Sequence, residues 1–261
     1  MSGLLINVPM NTTRVLDTSF IPFYDKENIL GYFIGGGDLD RTLKNRARSS
    51  VPFTRRGAGD SMEFYPAYVK VVGNRGPAEA IRLPISDAAG KVNPQCTIFM
   101  RLLGMPKVIS SNLQNFIFNL WGESPTIGNH QNNKLMFSVR PSLDGKSFNF
   151  FSGAPSGAPQ AENNVLVGDV RDDEVIYLAA SRGSAGLITV ELRVSGRIIK
   201  ASIPPVTEMP AVPDDLKNWH AWFGVMAGTN VVSVSYQRGA IYNYAMSAPQ
   251  ISELLDRESV V

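Results

Sequence analysis

Four segments in the middle of this chain alternate their side chains with a period of two, and that pattern constrains the fold more than any other feature. In 97–103, Ile98, Met100 and Leu102 share one face, against Phe99, Arg101 and Leu103. In 116–121, Phe116, Phe118 and Leu120 oppose Ile117, Asn119 and Trp121. In 135–140, Leu135, Phe137 and Val139 oppose Met136, Ser138 and Arg140, and in 148–151 Phe148 and Phe150 oppose Asn149 and Phe151. Successive side chains of a strand point to opposite faces, so each segment is a strand with one wholly apolar face. Consecutive strands of this kind predict the sheet of a β-sandwich. Further strands are expected over 175–181, 187–194 and 197–203, while 61–72 reads as one strand bent at Pro66. The uncharged run 218–237 has about the length of a membrane span, but Val231, Ser233 and Ser235 alternate with Val232, Val234 and Tyr236, which predicts two strands around a turn at Gly228-Thr229-Asn230. Composition agrees: charged residues make 18%, hydrophobic residues 44%, and 23 glycines and 17 prolines punctuate the chain.

The closing segment is a strand running into a capped helix. Ile241 and Asn243 alternate with Tyr242 and Tyr244, and Ser247-Ala248-Pro249-Gln250 forms a capping box with proline in the first turn. Ile251, Leu254 and Leu255 then fall on one helical stripe. A strand with Ile-Tyr-Asn followed by a Ser-initiated helix ending in Leu-Leu resembles the closing signature of the laminin-G-like, concanavalin-A-like jelly-roll family. The hairpin Leu192-Arg-Val-Ser-Gly-Arg-Ile-Ile199 is similar to a second family piece, with Ser195 where Asn or Asp is commoner. The resemblance covers about the last third of the chain and implies an all-β, concanavalin-A-like jelly-roll β-sandwich with an irregular N-terminal extension and a short C-terminal helix. Residues 1–58 are expected as that extension, packing on the sandwich or on a partner, and 59–261 as the sandwich.

Few residues suggest chemistry. Retaining glycoside hydrolysis needs two carboxylates about 5–5.5 Å apart; the nearest acidic run, Asp169 to Glu174, is not spaced to face one way. With His130 and His220 as the two imidazoles, neither beside a Gly-x-Ser-x-Gly turn, a Ser triad has no support. His220 reads as a packed residue between Trp219 and Trp222. Zinc spacing is absent, and Gly35-Gly36-Gly37-Asp38 lacks the Gly-Lys-Ser/Thr of a phosphate loop. Many laminin-G-like domains hold Ca²⁺ with an acid before the terminal strand; here Gln237-Arg238-Gly239-Ala240 stands in that place, and Asp38, Asp40, Asp144 and Asp172 to Glu174 offer loop oxygens to Ca²⁺ without a spacing that selects an ion, so no cofactor is expected. Cys96, the single cysteine, sits in an apolar run and reads as a buried small residue. Net charge is +2, and the basic residues Arg41, Lys44, Arg46, Arg48, Arg55 and Arg56 read as solvated loops, so neither nucleic acid nor a membrane is expected.

A binding face remains. If the apolar sides of the four alternating strands face the core, Arg101, Asn119, Trp121, Ser138, Arg140 and Asn149 lie together on the opposite side. An aromatic ring flanked by amides and guanidinium groups suits a cell-surface sugar; a neighbouring subunit or the N-terminal segment could equally cover the face. The N-terminus lacks a basic region and a long apolar run, so synthesis without a signal peptide is expected. By analogy of fold, the sequence suggests a non-enzymatic binding or structural module of a phage or prophage particle, an oligomer or one docked to other virion proteins. The alternatives are a carbohydrate-active enzyme with a non-standard site and a purely architectural subunit.

Overall fold

The computed structural model describes residues 24–47, 51–57, 61–73, 79–85, 95–109, 115–123, 134–152, 163–204, 217–224 and 232–260; the side chains of 121–123, 134–136 and 217–218 lie outside that description. The elements, in chain order, are β1 (Ile29–Ile34), α1 (Leu39–Leu43), β2 (Thr54–Arg56), β3 (Met62–Tyr65), β4 (Tyr68–Val71), β5 (Ala80–Pro84), β6 (Cys96–Leu103), β7 (Lys107–Val108), β8 (Phe118–Glu123), β9 (Lys134–Pro141), β10 (Ser147–Ser152), β11 (Asn163–Leu166), β12 (Val175–Arg182), β13 (Ile188–Val194), β14 (Arg197–Ile203), β15 (Lys217–Gly224), β16 (Val232–Tyr242) and α2 (Ala248–Val260). Two antiparallel sheets form a sandwich, which bears out the expected all-β fold. The first runs β14-β13-β12-β6-β16-β4-β3, with β1 and β7 also on β16; the second runs β11-β10-β9-β8-β15-β5-β2.

The alternating segments place their apolar faces as expected but not in one sheet. Ile98, Met100 and Leu102 of β6 meet Phe118, Leu120, Phe137, Val139, Phe148 and Phe150 across the core. β6 pairs with β12 and β16, so it belongs to the first sheet, whereas β8, β9 and β10 are neighbours in the second. Likewise β15 and β16, read as strands around one turn, lie in different sheets. Segment 61–72 is a hairpin rather than one bent strand: Tyr65 pairs with Tyr68 across the Pro66-Ala67 turn. Residues 29–56, expected within an irregular extension, supply β1 to the first sheet and β2 to the second.

An aromatic cluster joins the layers. Phe223 packs edge-on to Phe33 and Phe118 at 4.9 and 5.2 Å, and Tyr236 donates its hydroxyl to the Ile117 carbonyl at 2.5 Å. Edge-to-face pairs contribute about 0.5–1.5 kcal/mol each beyond their buried area. Gly239 makes this packing possible, because a Cβ there would lie 2.3 Å from the Phe33 ring.

Helix α2 covers part of the outer face of the first sheet. Its capping box forms in a variant geometry: Gln250 Oε1 accepts both the amide and the hydroxyl of Ser247 at 2.9 Å. Ile251, Leu254 and Leu255 are fully buried against Phe99, Ala179, Ala240 and Tyr242. Small side chains at Ala179 and Ala240 let the helix approach the sheet closely. At the β13–β14 hairpin, Ser195 and Gly196 both take positive φ, 50° and 75°, the pattern of a type I′ turn.

Ser195 therefore holds a conformation that disfavours a Cβ. Ser195→Gly is expected to raise stability by about 0.5–1 kcal/mol, seen as a higher melting midpoint. Leu254→Ala is expected to lower it by about 2–4 kcal/mol in denaturant unfolding.

Candidate functional site

The outer face of the second sheet gathers four of the six residues expected to form a binding face. Asn119, Ser138, Arg140 and Asn149 alternate with core residues of β8, β9 and β10 and share this face. Arg101 does not join them: it lies on the outer face of the first sheet, its guanidinium 5.2 Å from the Tyr177 ring. Period-two alternation assigns residues to faces, but only strand pairing assigns strands to sheets. Trp121 belongs to β8, in register with His220, and its side chain lies outside the described residues. Sequence reasoning missed Trp222, which stands opposite Asn119 and beneath the guanidinium groups of Arg56 and Arg82, 4.9 and 5.3 Å from its ring.

This face is enclosed. Trp222, Asn119 and Ser138 are fully buried, and Arg140, which lies over the Phe151 ring at 4.3 Å, keeps 7% of its surface. Asn119 Nδ2 donates to the Gly224 carbonyl at 3.2 Å, while Asn119 Oδ1, Ser138 Oγ, Asn149 Oδ1 and Trp222 Nε1 have no protein hydrogen-bond partner. His220, packed edge-on to Trp222 at 5.8 Å, is also buried. His130 lies outside the described residues.

Other reactive groups are spent on structure. Burial pushes the Cys96 thiol up to about 12, which keeps it protonated and inert. Beside α2, Glu191 receives Arg193 Nε at 2.8 Å, Lys200 Nζ at 3.2 Å and the Ser252 hydroxyl at 2.5 Å. Burial works to raise its carboxyl, but these hydrogen bonds outweigh burial and hold it below the usual range. Lys200 also reaches Ser252 Oγ at 2.9 Å. Among the described residues, no group of three or more His, Cys, Asp or Glu side chains could hold a metal ion.

The outer face of the first sheet carries an open groove of about 250 Å³ that no residue of α2 lines. Its walls are Tyr68, Lys70, Leu103, Gly104, Met105, Lys107, Asp172, Ser233 and Ser235. β4 supplies Tyr68 and Lys70, with Lys70 in register with Ser235 of β16; β7 pairs Lys107 with Ser233 of the same strand. The turn after β6 needs Gly104: its φ is +69°, its amide donates to the Glu174 carbonyl at 2.8 Å, and a Cβ there would lie 3.0 Å from the Asp172 carbonyl oxygen. That close approach brings Asp172 to the rim, where it pairs with Lys107 at 2.8 Å. Tyr68 stacks on Tyr65 with centroids 4.5 Å apart, and the Tyr65 hydroxyl donates to Glu63 at 2.8 Å. The groove thus combines an aromatic ring, serine hydroxyls, ammonium groups and one carboxylate.

The fold defines a class, the two-sheet antiparallel β-sandwich. No family model matches the sequence, and no curated protein sequence is significantly similar to it. Among solved structures, a mutant Trypanosoma rangeli sialidase displaying trans-sialidase activity is similar over 91% of this chain and 34% of its own, with TM-score 0.58 and 11% identity. The binding domain of botulinum neurotoxin DC in complex with SialylT is similar over 90% of this chain and 52% of its own, with TM-score 0.54 and 11% identity. The same binding domain in complex with rat synaptotagmin II gives a TM-score of 0.53 at 10% identity. The chain therefore spans about a third of the sialidase and about half of the toxin domain. These neighbours overturn the expectation of a phage or prophage virion module, which rested on fold analogy: the sandwich is shared with sialidases and botulinum neurotoxin binding domains.

Two outcomes test the assignment of the enclosed face to packing. Ser138→Ala, which removes an unpaired buried hydroxyl, is expected to leave stability unchanged or raise it by up to about 1 kcal/mol, whereas Trp222→Ala costs about 3–5 kcal/mol. Because the folded-state pKa of Glu191 is depressed, its contribution is present above the unfolded value of about 4.3 and lost as pH falls through the folded value. Glu191→Gln is expected to cost about 2 kcal/mol at pH 7, with the gap to wild type shrinking as melting is followed down from about pH 5 to pH 3.

Proposed function

We propose that this protein is a lectin-like β-sandwich that recognises carbohydrate through the open groove between β4 and β7. The observation that carries the reading is the groove's composition. Tyr68 offers a ring for the C–H face of a sugar, while Ser233, Ser235 and Lys70 stand within the same pocket to meet hydroxyls. Lys70 makes no hydrogen bond or ion pair with a described residue, so its donors are available to a ligand. The lectin-like class supports the reading at the level of fold, as does the resemblance of the closing strand and helix to laminin-G-like chains. Among the described residues Asp172 is the one carboxylate lining the groove, which supports recognition over hydrolysis by two carboxylates.

The enclosed face of the second sheet serves as the internal control. In glycan binding measured on the folded protein, Tyr68→Ala is expected to lose about five- to thirtyfold in affinity, equivalent to about 1–2 kcal/mol. Arg140→Ala is expected to lower the melting temperature while leaving affinity unchanged. The reverse pattern, with Arg140→Ala abolishing binding and Tyr68→Ala silent, would move the site to the second sheet.

A further inference from the structure

We propose that the groove selects sugars bearing an anionic substituent, held between Lys70 and Lys107 above Ser233 and Ser235; this rests on the carbohydrate reading above. Ser233 and Ser235 sit two residues apart on β16, so both hydroxyls belong to the same outer face. Lys70 lies in register with Ser235 on one edge of that strand, and Lys107 in register with Ser233 on the other. Two strand spacings, about 10 Å, therefore separate the backbones from which the two ammonium groups reach over one serine floor. A negative group above β16 can meet a cation from each side and a hydroxyl from below.

The charges around the groove are unequal. Two ammonium groups face one carboxylate, Asp172. The second nearby acid, Glu63, stands opposite Lys70 across β3 and β4 but accepts the Tyr65 hydroxyl at 2.8 Å. That bond ties Glu63 to Tyr65, which stacks on Tyr68, and among the described residues Lys70 has no ion-pair partner. The Lys107–Asp172 pair is exposed at both ends, 66% and 77%. Such an exposed pair is weak and yields readily to a better-placed anion. Half-buried Leu103 adds an apolar surface to the groove against which a pyranose ring can lie while its charged group turns toward β16.

An ammonium group on a flexible stem is a point charge and does not impose the planar geometry that distinguishes carboxylate from sulfate. The shared chemistry is thus an anionic sugar, and the test separates its sources. The full chain and its Lys70→Met, Lys107→Met and Tyr68→Ala variants, each checked for an unchanged melting profile, are read on matched neutral, sialylated, uronic-acid and sulfated oligosaccharides. Wild type is expected to hold at least one acidic class about tenfold more tightly than its neutral match, and the advantage to fall as salt rises from about 0.05 to 0.5 M. Lys70→Met is expected to erase the advantage and Lys107→Met to reduce it, each substitution costing the acidic glycan more affinity than its neutral match. The acidic class that leads, carboxylated or sulfated, identifies the anion. Equal binding of neutral and acidic glycans by wild type, or a preference that survives both lysine substitutions, overturns the inference while the carbohydrate reading stands. If wild type binds no glycan, the carbohydrate reading fails and the inference with it.

Discussion

The architecture depends on how β16 divides its two edges. Along one edge it pairs first with β4, through Val234 to Tyr236, and then with β1, through Arg238 to Tyr242. Along the other it pairs with β7 and then β6, with a bulge between Tyr236 and Arg238. At that change of partner the Gly35 amide donates to the Gln237 carbonyl at 2.9 Å, and a Cβ at Gly35 would lie 2.1 Å from the Tyr236 carbonyl oxygen. A side chain at Gly35 would force β1 away from β16 and open the seam. The bulge also divides the outer face of the sheet. Beyond it, Arg238 reaches Glu258 of α2 at 3.1 Å, and Tyr32 of β1 donates to the same carboxylate at 3.0 Å. Before it, Ser233 and Ser235 form the floor of the groove. One strand irregularity thus separates the helix-covered half of the face from the open half.

The two outer faces illustrate why polar residues on a strand do not by themselves make a ligand site. On the second sheet, tryptophan, asparagine, serine and arginine gather as a sugar site would require, yet they are packed away and their rings are covered by the protein's own guanidinium groups. On the first sheet the groove is built from less conspicuous residues, but Tyr68, Lys70, Lys107, Asp172, Ser233 and Ser235 keep access to solvent. Access decides between them, because binding energy comes only from groups a ligand can reach.

Much of the fold was legible because it is local. The apolar faces of β6, β8, β9 and β10, the Ser195-Gly196 turn and the Ser247–Gln250 cap each follow from a few adjacent residues. What was not legible is non-local. The sequence of β6 does not reveal that its hydrogen-bonding partners are β12 and β16, so Arg101 was grouped with residues of the other sheet. The groove draws Tyr68, Leu103, Asp172 and Ser235 from segments far apart in the chain, and no motif links them. One signal was available: Ser233 and Ser235 alternate with Val232, Val234 and Tyr236, which marks a polar outer face on the strand that proves central.

Strand β14 ends the first sheet, and Ile198 on it is 59% exposed. An unpaired strand edge invites a second copy to add on, edge to edge. Here the two cations of that strand are tethered: Arg197 to the carbonyls of Val167 and Asp169, Lys200 to Glu191 and Ser252. A strand added along this edge would have to leave these anchored side chains in place or pull them from their partners. The same contacts fasten the hairpin to the body of the protein, so the edge they hold is tied to the sheet, to the β11 side and to the final helix at once.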